Sequence, residues 1–300
     1  AVHMIERTPI LNFVTHAILL SGLVILLLPI FIVLIATTHD LPTVNTVPMP
    51  LWPGSHMLEN WSAAWTKGDF ARALVNSLVV AVGVTVGKIT IAALSAFSIV
   101  YFRYPGRTVL FWLIFITLML PLEVRIVPTY AVAADALRPI KALFSLGNID
   151  IGLPEWNLLN SYTGLILPLI ATATGTFLYR QFFLTVPEEL CESAKMDGAG
   201  PLRFFCDILL PLSATNMAAL AVIMFVYAWN QFLWPLLVVN KPHMMTATVQ
   251  LDRIVPGPLF GQPPIWNEAM AATLIVMIPP LIVVIMLQRW FIRGLIQSDK

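Results

Sequence analysis

Six stretches of this chain are too long and too apolar to be packed inside a water-soluble domain. Ala17–Ala36, Thr108–Leu122, Ser161–Tyr179, Leu212–Asn240 and Ala269–Leu287 carry no charge, and Ala73–Phe102 carries only Lys88. A membrane helix needs about 20 mostly apolar residues. A backbone in lipid must bond its own amides, so such runs are helices, and the period-2 alternation of a barrel is absent. The sequence predicts an all-α membrane protein of six transmembrane helices. The spans fall at about 12–36, 73–102, 108–134, 161–183, 212–240 and 268–292, with a loop at 184–211, in one transmembrane domain over 1–300. Charged residues make up only 11% of the chain against roughly 25% in soluble domains, and mean hydropathy is +0.84. The lipid bilayer is the environment that accepts this excess of apolar surface. A net charge of +1 gives no footprint for nucleic acid.

The first apolar run exceeds the roughly 7–15 residues of a signal peptide, so it reads as a retained helix. Met4 is a candidate natural start. With the N-terminus in the cytoplasm, the cytoplasmic segments hold Arg7, Arg103, Arg107, Arg180, Lys195, Arg203, Arg289, Arg293 and Lys300. The longer outer segments hold Lys67, Arg72, Arg125, Arg138, Lys141, Lys241 and Arg253. Basic density therefore places both termini in the cytoplasm. Trp52, Trp61, Trp65, Trp156 and Trp266 fit an interfacial belt or ordinary loop packing. Pro29, Pro121, Pro168, Pro235, Pro279 and Pro280 lie in or beside spans, where each removes a backbone donor and favours a kink. Gly83 and Gly87 offer a small-residue face to another helix, or stand so by chance.

Gly83–Thr90 (GVTVGKIT) fails as a phosphate loop: the glycines are too close, and Ile89 stands where Ser or Thr would bind magnesium. No other catalytic signature is visible, so the chain is expected to be a non-enzyme without a metal or cofactor of its own. Cys191 and Cys206 have no metal or redox spacing. Only one polar segment stands apart, Thr185–Leu212. Thr185 and Glu188 have capping-box spacing, and Pro187 suits a first turn. A short helix is predicted to run to about Asp197, with Gly198 ending it in the left-handed conformation. Pro201 opens a second helix, predicted to stop at Pro211.

This segment resembles the cytoplasmic E-A-A-x3-G-x9-I-x-L-P motif of binding-protein-dependent ABC importer permeases of the carbohydrate and glycerol-phosphate type. Glu192, Ser193 and Ala194 stand for the opening triplet, with Ser193 the only departure. Gly198, Ile208, Leu210 and Pro211 follow at the motif's spacing, and Asp197 and Ala199 complete a D-G-A variant. The resemblance implies a type I importer permease in the cell inner membrane. It also implies that residues 187–211 form a coupling helix seated in an ATPase subunit. Implied partners are a second permease subunit, two ATPase subunits holding ATP and magnesium, and a periplasmic substrate-binding protein.

Leu94–Phe97, Phe111–Pro121, Glu123–Arg125, Trp229–Pro235 and Gln288–Gly294 are similar to the second-permease branch of sn-glycerol-3-phosphate importers, although the run Leu137–Asn160 is longer than that branch leads one to expect. A permease for a disaccharide or oligosaccharide is the alternative within the family. An ion-coupled secondary transporter would call for inverted repeats, and none is visible. An anionic substrate calls for cations on its path. Lys88 stands inside a span, where a charge costs roughly 2.5–3.5 kcal/mol, and Arg125 follows Glu123 near the outer end of the third span. Trp229, Asn230 and Gln231 are further candidates for the path. Helix carbonyls or the partner permease could equally hold Lys88, and a Glu123–Arg125 pair could simply brace a loop.

Overall fold

The computed structural model describes residues 9–117, 120–145, 152–254 and 264–297. All the elements are helical among these residues. The chain divides into two compact units, Ala1–Phe70 with Leu251–Met277, and Ala71–Gln250 with Ile278–Lys300.

In the first unit, α1 (Pro9–Ala36) is apolar on every face, and its side chains stay exposed until Ile35. So much contiguous apolar surface suits lipid and not water. Pro29 sits inside α1 without ending it. Beyond α1 the chain turns through buried Thr37, Thr38 and His39. α2 (Met57–Lys67) braces that turn: Asn60 Nδ2 donates to the carbonyls of Thr37 and His39, each at 2.8 Å. Asn267 Nδ2 in turn donates to Asn60 Oδ1 at 2.7 Å. These bonds satisfy the backbone where a helix ends among buried groups.

The second unit holds most of the spans. α3 (Phe70–Tyr101, of which only Phe70 belongs to the first unit) is unbroken and takes in Lys88. The third predicted span is not one helix: α4 (Arg107–Ile116) ends before Pro121, and α5 (Leu122–Ala134) begins after it. Pro121 has no N–H to extend the first helix and takes an extended N-cap conformation for the second. After α5, the Asp135 carboxylate accepts from Lys141 Nζ of α6 (Arg138–Ser145) at 2.7 Å. That hydrogen bond, with further ones from backbone amides, holds the Asp135 carboxyl below the usual carboxylate range.

The fourth span is bent by 50° between α7 (Tyr162–Ile166, with a tight turn through Pro168 to Leu169) and α8 (Ala173–Thr185). The segment after it contains α9 (Glu188–Met196) and α10 (Pro201–Phe204). The fifth span consists of α11 (Ala214–Trp229) and α12 (Leu233–Val238), the latter containing Pro235. α13 (Ala247–Ile254) precedes α14 (Trp266–Gln297), which runs through Pro279 and Pro280.

Three helices are long and apolar enough to cross a membrane unbroken, and up to five spans result if each bent pair counts as one. The predicted six are therefore not reached on helix length among the described residues. The shortfall lies at the break before Pro121. Met4, residues 146–151 of the long outer run and 255–263 of the loop before Trp266 lie outside the described residues. So do the charges of Arg7, Arg289, Arg293 and Lys300.

Two apolar clusters hold the second unit. One joins Val80 and Val84 of α3 to Leu165, Leu169, Phe225, Trp229 and Trp234. Here Gly83 and Gly87 do form a close-packing face: a Cβ on Gly83 would stand 2.6 Å from Ile166 Cδ1, and one on Gly87 would collide with Ile170. Between membrane helices such fit matters more than apolar burial, since lipid is as apolar as leucine. The other cluster joins Ala92, Ala96 and Phe97 to Tyr179, Phe183, Ala194, Phe204, Phe205 and Leu209.

Candidate functional site: a bent lever and a cationic cavity

The polar segment forms two helices joined by a glycine turn. Pro187 is the N-cap of α9, Glu188 and Glu189 lie in its first turn and Lys195 in its last, the arrangement the helix dipole favours. Gly198 has φ +72°, its N–H donates to the Lys195 carbonyl at 3.0 Å, and the Ala199 N–H donates to the Ala194 carbonyl at 2.9 Å. This is a Schellman ending, and the left-handed position is where glycine carries no steric cost. The predicted capping box does not form. Thr185 is still the last residue of α8, and its Oγ1 donates back to the Phe182 carbonyl at 2.7 Å.

The second helix ends at Leu212, one residue from its predicted stop at Pro211. It widens into a π-turn over Phe205–Leu209, closes through Leu210–Leu212, and bends by 75° into α11 at buried Ser213. Pro211 lacks the N–H that would bond the carbonyl four residues back, so a widened turn upstream of it is expected. Glu192, Ser193, Asp197, Gly198 and Pro211 are exposed; Ala199, Ile208 and Leu210 are half-buried. Ala194 is the anchor: it is 5% exposed and packs in one cluster with Phe204, Phe205 and Leu209. Phe205 lies 4.9 Å from Phe97, and Phe204 5.3 Å from Tyr101, between ring centroids. The segment is thus packed onto the ends of α3 and α8 and leaves a polar face exposed.

Three of the charges singled out from sequence line one cavity of about 740 Å³ between α3, α4, α5, α8 and α11. Lys88, Glu123, Arg125 and Gln231 all line it. Lys88 is 6% exposed, with Nζ 3.9 Å from the centre of the Tyr227 ring. A desolvated ammonium over an aromatic face is held by the ring quadrupole, which leaves it free of a carboxylate. Arg125 Nε is shielded from solvent and has no hydrogen-bond partner. Glu123 is exposed, and no ion pair joins it to Arg125 among the described residues.

Trp229 does not line the cavity. It is 2% exposed and stacks on Phe225 at 5.8 Å in the core. Asn230 is exposed and serves as the C-cap of α11, its N–H donating to the Val226 carbonyl. Tyr227 and the hydroxyl residues Ser95, Thr172 and Thr176 line the cavity without having been singled out from sequence. Tyr227 stands four residues before Gln231, which lies just beyond the C-cap of α11, and the Gln231 amide Nε2 donates to the Tyr227 carbonyl at 3.4 Å.

A family model described as "binding-protein-dependent transport system inner membrane component" matches residues 88–297. The chain is 47% identical to the sn-glycerol-3-phosphate transport system permease protein UgpE of Yersinia pestis bv. Antiqua (strain Antiqua), over 99% of this chain and 100% of that one. It is 46% identical to the protein of that name from Escherichia coli O157:H7, with the same coverage. A chain of a bacterial ABC transporter involved in the import of the acidic polysaccharide alginate shares the fold. That likeness has a TM-score of 0.74 at 17% identity, over 97% of this chain and 100% of that one.

Proposed function

The chain belongs to the family of binding-protein-dependent transport system inner membrane components, and on that premise we propose that it forms half of the translocation path of an ATP-driven importer for sn-glycerol 3-phosphate. Full-length similarity to permeases named for that substrate supports the choice of cargo. The observation that carries it is the cavity, which Lys88 and Arg125 line without an ion pair to a carboxylate among the described residues, the Glu123 side chain there being exposed. A phosphate monoester loses most of its hydration on entering such a space. Two fixed cations offset part of that cost, since charge-assisted hydrogen bonds contribute about 1.5–3 kcal/mol each. Gln231 and the threonine hydroxyls are placed to meet the glycerol hydroxyls.

The energy comes from elsewhere. A second permease subunit completes the path, two ATPase subunits bind ATP and magnesium, and a periplasmic binding protein delivers the substrate. The chain itself holds no cofactor. It passes several times through the inner membrane with both termini in the cytoplasm. Glu192, Ser193, Asp197 and Gly198 present the free face of the lever to an ATPase subunit. Ala194, Ala199, Ile208, Leu210 and Pro211 fix the lever's shape and its seat on the spans. Closure of the ATPases on ATP displaces the lever, and the helices clamped to it switch from inward to outward opening, a rigid-body transition.

The test is uptake into proteoliposomes holding the complete complex, with ATP inside and the cognate binding protein outside. Accumulation of labelled sn-glycerol 3-phosphate, with none of maltose, is expected. Accumulation of maltose alone would assign the cavity to a sugar path.

A further inference from the structure

We infer that a second cavity, at the lever end of the spans, is a binding site for the phosphate group of an anionic phospholipid. It has a volume of about 360 Å³ between α3, α4 and α8, and shares no lining residue with the cationic cavity above. Its polar groups are Arg107, Thr108, Arg180 and Gln181, and no carboxylate lines it. The Arg180 guanidinium lies over the Phe111 ring at 4.3 Å, and its Nε is shielded from solvent without a hydrogen-bond partner. A shielded guanidinium donor with nothing to donate to is a group prepared for an acceptor that arrives from outside.

Arg107 approaches from the other wall. It is exposed, and its only hydrogen bond among the described residues is a long one, 3.4 Å, to the Phe102 carbonyl. It also opens α4, behind Gly106 at φ +82° and with no side-chain cap. The first-turn amides therefore add their share of positive potential to the same opening.

A phosphate could come from water or from lipid, and the mouth decides for lipid. Of the residues that line it, Trp112 and Leu184 are 54% and 55% exposed. Inorganic phosphate gives these side chains nothing to bury against, whereas the acyl chains of a phospholipid cover them. Trp112 has the amphipathic ring that settles at headgroup depth. Basic pockets between helices on the cytoplasmic side take anionic headgroups by this combination. The site lies where α8 leads into the lever, so it borders the elements that the lever moves. The reading of transport is needed only to say which leaflet supplies the lipid.

Native mass spectrometry of the whole complex, released from bilayers of phosphatidylglycerol and phosphatidylcholine, tests this. Retained phosphatidylglycerol is expected on the wild type, falling about fivefold in Arg107→Gln and again in Arg107→Gln/Arg180→Gln. Arg180→Lys, which keeps the charge, is expected to retain more than Arg180→Gln. Arg107 is exposed, so its single variant remains informative if the double variant does not assemble. Added inorganic phosphate is expected to displace nothing, and displacement to the level of the double variant would overturn the lipid source. Equal retention by wild type and both glutamine variants would overturn the site. A complex that transports sn-glycerol 3-phosphate yet retains no phosphatidylglycerol sinks this proposal alone and leaves the transport reading standing.

Discussion

Lys88 is the residue on which the chemistry turns. It is the one charge of α3 that lies deep in the apolar run, Arg72 standing in the first turn, and Tyr227 holds it at the cavity that Arg125 also lines. On the path proposed above, removing either cation would take away one charge-assisted contact, so Lys88→Met and Arg125→Met are each expected to raise the half-saturating concentration for uptake about tenfold. Unchanged apparent affinity in both would show that the substrate passes elsewhere. Glycines separate by their neighbours. A Cβ on Gly164 would run into the Leu158 carbonyl, which is backbone and cannot swing away. Gly164→Ala is expected to destabilise the protein by about 1–3 kcal/mol, read as a lower melting temperature of the purified complex. The sequence made Lys88, Arg125 and Gln231 legible because a charge or amide in lipid is costly and must face something polar. It could not show that Trp229 is core and Asn230 a cap, because hydropathy does not tell which face of a helix meets a cavity.

At the scale of elements, the lever was the most legible part of the chain. Gly198 ends α9 in the conformation its position implied, and Pro201 opens α10. Thr185 was misread because it was assigned to the nearest local signal, while a longer helix claimed it; the stop near Pro211 holds to one residue. α8 kept Thr185 inside its last turn, and a π-turn carried the second helix through Pro211. A Cβ at Gly198 meets open space, so its substitution strains only the backbone, by about 1–2 kcal/mol. Gly198→Asp is thus expected to give a folded, membrane-inserted protein. It also puts a bulky anion on the exposed face proposed to meet the ATPase, and is expected to abolish uptake while ATP hydrolysis continues without response to loaded binding protein. Normal coupled uptake by that variant would remove the lever from the mechanism.

For the whole molecule, the composition announced a membrane protein at once, and the apolar runs fall on the helices that the structure describes. Counting them was harder. Prolines break the third span at Pro121 and bend the fourth at Pro168, so helices that hydropathy joins are separate elements. Orientation rests on the distribution of Lys and Arg, and it decides whether the lever meets an ATPase at all. The chain contains only two cysteines, exposed Cys206 and half-buried Cys191, and both belong to the lever. The unmodified protein therefore carries its own reporter. A membrane-impermeant maleimide applied to inside-out and to right-side-out membrane vesicles gives the most direct measurement. Labelling of Cys206 in inside-out vesicles, blocked when the ATPase subunits are bound, is the result expected. Labelling in right-side-out vesicles would contradict the account, because a lever on the periplasmic side cannot be gripped by a cytoplasmic motor.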